Sequence, residues 1–177
     1  MRKSFLFFST VLFALVALST VSYAQSRKEQ RRVEQQAIDN KTAEAIKSGV
    51  ETHNISFIAT ELTATSDPMI TDVQLNAIWG LYITPNRLRS YLPVYGAKNA
   101  SYRPSMIRRM DFSTSDYTWN AEKTKFGWDV TIKVSEPSTN TAYTMYLTVP
   151  TTGRNATLSI STSFDPSITY SGYIQVD

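Results

Sequence analysis

Cysteine is absent from the 177 residues, and histidine occurs once, at His53. The first absence excludes disulfides, thiolate nucleophiles, thiolate metal sites and a lipid-bearing cysteine behind an export signal. The second leaves a Ser–His–Asp triad or a zinc centre without partners placed nearby. Gly-rich phosphate loops, a serine nucleophile elbow and zinc-helix patterns are missing as well. Charge of one sign is scarce: 18 bases face 15 acids, a formal net charge of +3. So slight an excess gives no general attraction to nucleic acid or anionic lipid. No catalytic residue, metal site or cofactor is expected.

What is present begins with an address. Arg2 and Lys3 precede an apolar run over 5–18, which ends in Ser19, Thr20 and then Ser22-Tyr23-Ala24. A basic start, a short apolar run and small residues at the cleavage site describe a secretory signal peptide, 1–24, removed after Ala24. The run is shorter than the roughly 20 residues a bilayer span needs, so no membrane span is expected after cleavage. Removing 24 of the 177 residues leaves 153, enough for one domain with a core. Arg2 and Lys3 leave with it, so that 16 bases then face 15 acids and the net charge is +1. The expected location is exported, either periplasmic or secreted, without a lipid anchor.

A charged N-terminal segment and helix, 25–49, comes next. Val33, Ala37, Ile38, Ala45 and Ile46 recur at helical spacing, which predicts a helix over 30–48 with Gly49 as its left-handed C-terminal cap. From there the domain over 50–177 changes period from 3.6 to 2. Strands are predicted at 55–63, 75–84, 87–94, 107–120, 125–135, 141–149, 155–164 and 168–176. The cleanest alternation sets Phe126, Trp128, Val130, Ile132 and Val134 on one face and Lys125, Asp129, Thr131 and Lys133 on the other. Connections such as Pro85-Asn86 are too short for parallel crossovers, so successive strands must pair antiparallel. The fold class is therefore mainly β: an N-terminal helix plus a curved antiparallel meander of about eight strands, a half-barrel or lipocalin-like barrel, with the helix over one opening or edge.

Three aspartates, Asp111, Asp116 and Asp129, lie within strand patterns. Paired carboxylates can flank a glycosidic bond. Asp111 and Asp129 fall on the polar register, however, and Asp116 is assigned to a bulge or to a strand leaving the core. Aromatic and arginine side chains carry more weight. Tyr91, Tyr95, Tyr102, Tyr117 and Trp119 fall opposite the core register or in the long loop over 95–106, near Arg87, Arg89, Arg103, Arg108 and Arg109. Exposed Tyr, Trp and Arg together are the materials of a recognition surface. The binding candidates are Tyr91, Tyr95, Tyr102, Arg103 and Arg108.

Several phrases tie this chain to a known family: Tyr82-Ile83, then Ser90-Tyr91-Leu92-Pro93-Val94-Tyr95-Gly96-Ala97, Met110-Asp111-Phe112, Trp128-Asp129-Val130-Thr131-Ile132, Tyr146-Leu147-Thr148-Val149 and Tyr170-Ser171-Gly172. In these the sequence resembles domain-of-unknown-function family 4251, exported proteins of Gram-negative gut anaerobes. The resemblance spans roughly 41–176. It implies an export signal, a helix and a β-rich domain, and brings no activity with it. Val94 and Ala97 stand where the family carries an aromatic and a basic residue. The function expected is that of a non-enzymatic binding or interaction module of the periplasm or cell surface. The partner would be another envelope protein or a glycan. A carrier of a small apolar ligand inside the curved sheet, and a carboxylate-dependent hydrolase, are the alternatives.

Overall fold

Past residue 55 the alternation of β-branched and aromatic residues with polar ones produces strands, and before it the chain is helical. The computed structural model describes residues 2–64, 72–94, 108–162 and 167–176. These comprise a helix α1 (Arg2–Thr52) and strands β1 (Ile55–Ala64), β2 (Val73–Gln74), β3 (Gly80–Thr84), β4 (Arg87–Val94), β5 (Arg108–Thr114), β6 (Tyr117–Lys123), β7 (Gly127–Ser135), β8 (Ala142–Pro150), β9 (Ala156–Thr162) and β10 (Ile168–Gln175). The chain divides into two units, Met1–Lys41 and Thr42–Asp177. Within the first, Val33, Ala37 and Ile38 are exposed, and since Ala45 is exposed too, only Ile46 of the predicted apolar stripe is buried. Among the described residues no helix is long and apolar enough to cross a membrane.

In the second unit the strands form one antiparallel sheet in the order β5-β4-β3-β1-β10-β9-β8-β7-β6, with β2 on the edge of β1. The first long strand thus pairs with the last, and the break in the ladder falls in mid-chain, between β5 and β6. Because every pairing is antiparallel, following the directions around the sheet shows β5 and β6 running the same way. They follow one another through a bend at Ser115 and Asp116, β5 pairing with β4 and β6 with β7. The sheet is nearly closed and barrel-like, and the single run predicted over 107–120 is two strands, the second of which continues to Lys123 through residues expected in a turn. The predicted strand over 75–84 is shorter in fact. Regular pairing starts at Gly80, and Ala77 and Ile78 form an exposed turn.

Phe57, Leu81, Leu92, Ile132, Leu147 and Tyr170 come from six different strands, and all are buried on the inner face. Burial of each such side chain is worth about 1.5–3 kcal/mol. Phe126 corrects the sequence reading: it is 75 % exposed. The ladder begins only at Gly127, where an added Cβ would run into the Val149 carbonyl oxygen, and Phe126 belongs to the preceding turn.

The last turns of α1 seat on the barrel through Ile46 and Val50, both buried. Gly49 is not their cap. The helix runs on to Thr52, and His53 takes the left-handed conformation, with φ 56°. The Asn54 amide bonds the Gly49 carbonyl at 2.7 Å and the His53 amide bonds Val50 at 3.4 Å, the paired bonds of a Schellman ending. Gly49 has a different task. A Cβ there would stand 2.7 Å from Ile55 Cγ2 and 3.1 Å from Val176 Cγ1, so its lack of a side chain lets the helix close down where β1 begins and β10 ends.

Candidate functional site

Thr84, Pro85, Asn86 and Arg87 hold β3 and β4 in a tight hairpin, and its pairing decides which side chains share a face. Leu81 pairs with Ser90 and Ile83 with Leu88, all buried and inward. The alternate pairs, Gly80 with Tyr91, Tyr82 with Arg89 and Thr84 with Arg87, therefore face outward. Tyr82, Thr84, Arg87, Arg89 and Tyr91, with Ile78, line an open groove of about 380 Å³ on the outside of the barrel wall.

Several contacts hold this face in shape. The Trp79 indole donates from Nε1 to Asn76 Oδ1 at 3.0 Å, and its ring stacks on Tyr91 with centroids 4.7 Å apart and planes 14° apart. Tyr82 passes so close to Gly80 that a Cβ there would meet the ring Cζ and Oη at 3.3 Å and the Phe57 carbonyl oxygen at 2.6 Å. Gly80 is thus required by the approach of β1. The hairpin end is fixed twice: Thr84 Oγ1 donates to the Arg87 carbonyl at 3.1 Å, and the Tyr117 hydroxyl donates to the Thr84 carbonyl at 2.7 Å. Burial of Tyr117 raises its pKa above the ordinary tyrosine value of 10.0.

Arg87 and Arg89 are exposed, and the ion pair found among the described residues is elsewhere, between Lys47 and Glu44. The groove therefore carries two guanidiniums without a carboxylate partner among those residues. A second groove of about 440 Å³ lies outside β1, β9 and β10 at the bulge between Ala59 and Glu61. It is lined by short polar residues such as Thr60, Asn155 and Ser171, with neither an aromatic nor a cationic side chain.

Of the predicted binding residues, Tyr91 lies in the first groove. Arg108 opens β5, paired with Val94. Tyr95, Tyr102 and Arg103 lie outside the described residues. Tyr117 and Trp119, expected opposite the core, are half-buried and pack against it. The bend at Ser115 and Asp116 is the cause: inward positions are 110 and 112 before it and 117, 119 and 121 after it, so the side-chain parity switches. Trp119 meets the His53 ring at 4.9 Å, which assigns the lone histidine to the helix ending. Asp111 and Asp129 are exposed on β5 and β7, and Asp116 sits exposed in the bend, its amide bonded to Thr114 Oγ1 at 3.0 Å. Among the described residues no group of three or more His, Asp and Glu side chains is arranged to hold a metal. Sequence reasoning passed over Tyr82, although a two-residue hairpin between alternating strands already sets it across from Arg89.

A family model described as Domain of unknown function (DUF4251) matches residues 37–174. Among solved structures, the chain is similar to a DUF4251 family protein from Bacteroides eggerthii DSM 20697, with a TM-score of 0.60 and 13 % identity. That similarity covers 80 % of this chain and 91 % of the other, and at such identity it speaks for the fold alone. No curated protein matches.

Proposed function

This chain belongs to the family described as Domain of unknown function (DUF4251), and we propose that it is a non-enzymatic binding module whose recognition surface is the outward face of β3 and β4. One observation carries the reading: Tyr82, Tyr91, Arg87 and Arg89 converge on one open groove, the arginines without a carboxylate partner among the described residues. Desolvated aromatics and arginines account for most of the energy in recognition surfaces. Carriage of an apolar ligand inside the sheet is the weaker alternative, because side chains from opposite walls already meet there. Tyr170 on β10 reaches the backbone of β4, and Phe112 on β5 stacks on Tyr143 of β8 with centroids 5.7 Å apart.

The proposal includes an address and a wider surface. The signal over 1–24 directs export, leaving a charged segment and helix over 25–49 and the β domain over 50–177, periplasmic or secreted. The proposed binding residues also include Tyr95, Tyr102, Arg103 and Arg108, as the aromatic and arginine pattern of the sequence has them. The partner is a component of the cell envelope or its surroundings, protein or glycan. The test compares the wild-type mature chain with the Arg89→Ala, Tyr91→Ala double variant in glycan-array and pull-down binding. Loss of every wild-type signal is expected from a double variant that still unfolds cooperatively, at a Tm lowered by the lost stack on Trp79; a double variant that keeps them all overturns the assignment of the surface.

A further inference from the structure

The lining of the β3–β4 groove also says what kind of ligand fits it, an inference that rests on that groove being the recognition surface. We infer that it takes an acidic saccharide chain, with sugar rings against Tyr82 and Tyr91 and their carboxylates or sulfates on Arg87 and Arg89.

Arg87 and Arg89 are alternate residues of one strand, so their Cα atoms stand about 7 Å apart on the same face. Each is exposed, and each has its fork of donors unused by a carboxylate among the described residues. A guanidinium matches a carboxylate or sulfate with two parallel hydrogen bonds, a geometry lysine does not offer. Two such forks in line suit a ligand with anionic groups at successive positions.

The tyrosines set the rest of the chemistry. Tyr91 is braced by its stack on Trp79, and the Tyr82 ring lies over Gly80, against the sheet. A ring held in this way offers an apolar body and a hydroxyl at its tip, which match the C–H face and the hydroxyls of a sugar. Thr84 adds a further hydroxyl at the same level. A peptide of Asp and Glu alone would satisfy the arginines but has no ring to lay against the tyrosines.

The openness of the site argues for a chain over a small free acid. A small ligand gains affinity when 70–90 % or more of its surface is enclosed, roughly the usual case for ligand pockets. This groove lies on the outside of the barrel wall, and Ile78 at its side is itself 55 % exposed. Affinity here must come from several repeats laid along the outward positions 87, 89 and 91, which form a straight track on β4.

The test uses the mature chain with oligogalacturonate, its methyl-esterified neutral counterpart, free galacturonate, a heparin oligosaccharide and poly-glutamate as probes in calorimetry. Oligogalacturonate or the heparin oligosaccharide is expected to bind, more weakly as salt rises, with poly-glutamate and the esterified and free forms at least about tenfold weaker. Arg87→Gln with Arg89→Gln should lower the acidic-chain affinity by about tenfold or more, whereas Lys125→Gln with Lys133→Gln, the same charge change elsewhere, should leave it within about twofold. Equal binding of poly-glutamate, equal binding of the esterified chain, equal effects of the two double variants, or no binding of either acidic chain overturns the inference. Failure of the ligand class and failure of the surface separate through Tyr91→Ala. If that variant still loses whatever partner the glycan array or pull-down finds, the groove stands and only the acidic saccharide falls.

Discussion

The Tyr170 hydroxyl donates to the Pro93 carbonyl at 2.8 Å, although β10 and β4 are separated in the sheet by β1 and β3. The bond crosses the inside of the barrel, and Tyr170 is fully buried. It ties the wall behind the candidate groove to the far side of the core. Tyr170→Phe keeps the ring and removes the bond, so it should cost about 0.5–1.5 kcal/mol. Tyr170→Ala also leaves a cavity and should cost about 3–5 kcal/mol. Urea titration of both variants distinguishes them.

Gly49 makes a prediction that runs against helix propensity. Glycine to alanine inside a helix ordinarily gains roughly 1 kcal/mol. Here the new methyl would stand 2.7 Å from Ile55 Cγ2 and 2.9 Å from the Asn54 carbonyl oxygen, the latter part of the backbone. Gly49→Ala should therefore lower the midpoint of thermal unfolding. His53→Val should also lower it, by placing a β-branched residue at φ 56° and removing the ring packed on Trp119.

Ser90 is buried among inward-facing apolar residues, and its hydroxyl has no hydrogen-bond partner among the described residues. An unsatisfied buried hydroxyl is a cost, so Ser90→Ala should raise stability, by up to about 1 kcal/mol. Chemical denaturation reads the change, and a loss of stability would contradict the burial of that hydroxyl.

Tyr117 gives stability a pH dependence with a definite sign. Burial raises its pKa above 10.0 in the folded chain, so the folded state holds the phenolic proton more tightly than the unfolded one. The contribution is complete below pH 10 and is lost as pH rises through the folded-state value. Ionisation would also remove the donor to Thr84 at the hairpin end. The stability difference between wild type and Tyr117→Phe should accordingly shrink in alkaline solution, as measured by denaturation at stepped pH.

Much of this architecture is legible in the residues because each strand has one oily face and short turns leave no choice but antiparallel neighbours. The bounds of β4 over 87–94 and the inward set Val130, Ile132 and Val134 follow directly from the alternation. What escapes is governed by single residues. At Ser115 and Asp116 the strand bends and its parity changes, which moves Tyr117 and Trp119 from the wet face to the core, and no composition signal marks the spot. At Gly49 a glycine near a helix end reads as a cap, yet the need is for close approach, and the histidine four residues on adopts the strained conformation instead. The lining of the β3–β4 groove is legible only in part. Tyr91 and the neighbouring arginines stand out as exposed aromatics and cations, whereas Tyr82 acquires meaning only once the hairpin register sets it beside Arg89.

The central claim is that recognition happens on the outward face of β3 and β4 and not inside the sheet. The most direct measurement is a backbone amide NMR titration of the mature chain with an acidic oligosaccharide that calorimetry has found to bind. Shift changes should centre on Tyr82, Arg87, Arg89 and Tyr91 and leave Ile132, Met145 and Leu147 in place; changes concentrated on those interior residues, or spread evenly over basic residues of the surface, would contradict the account.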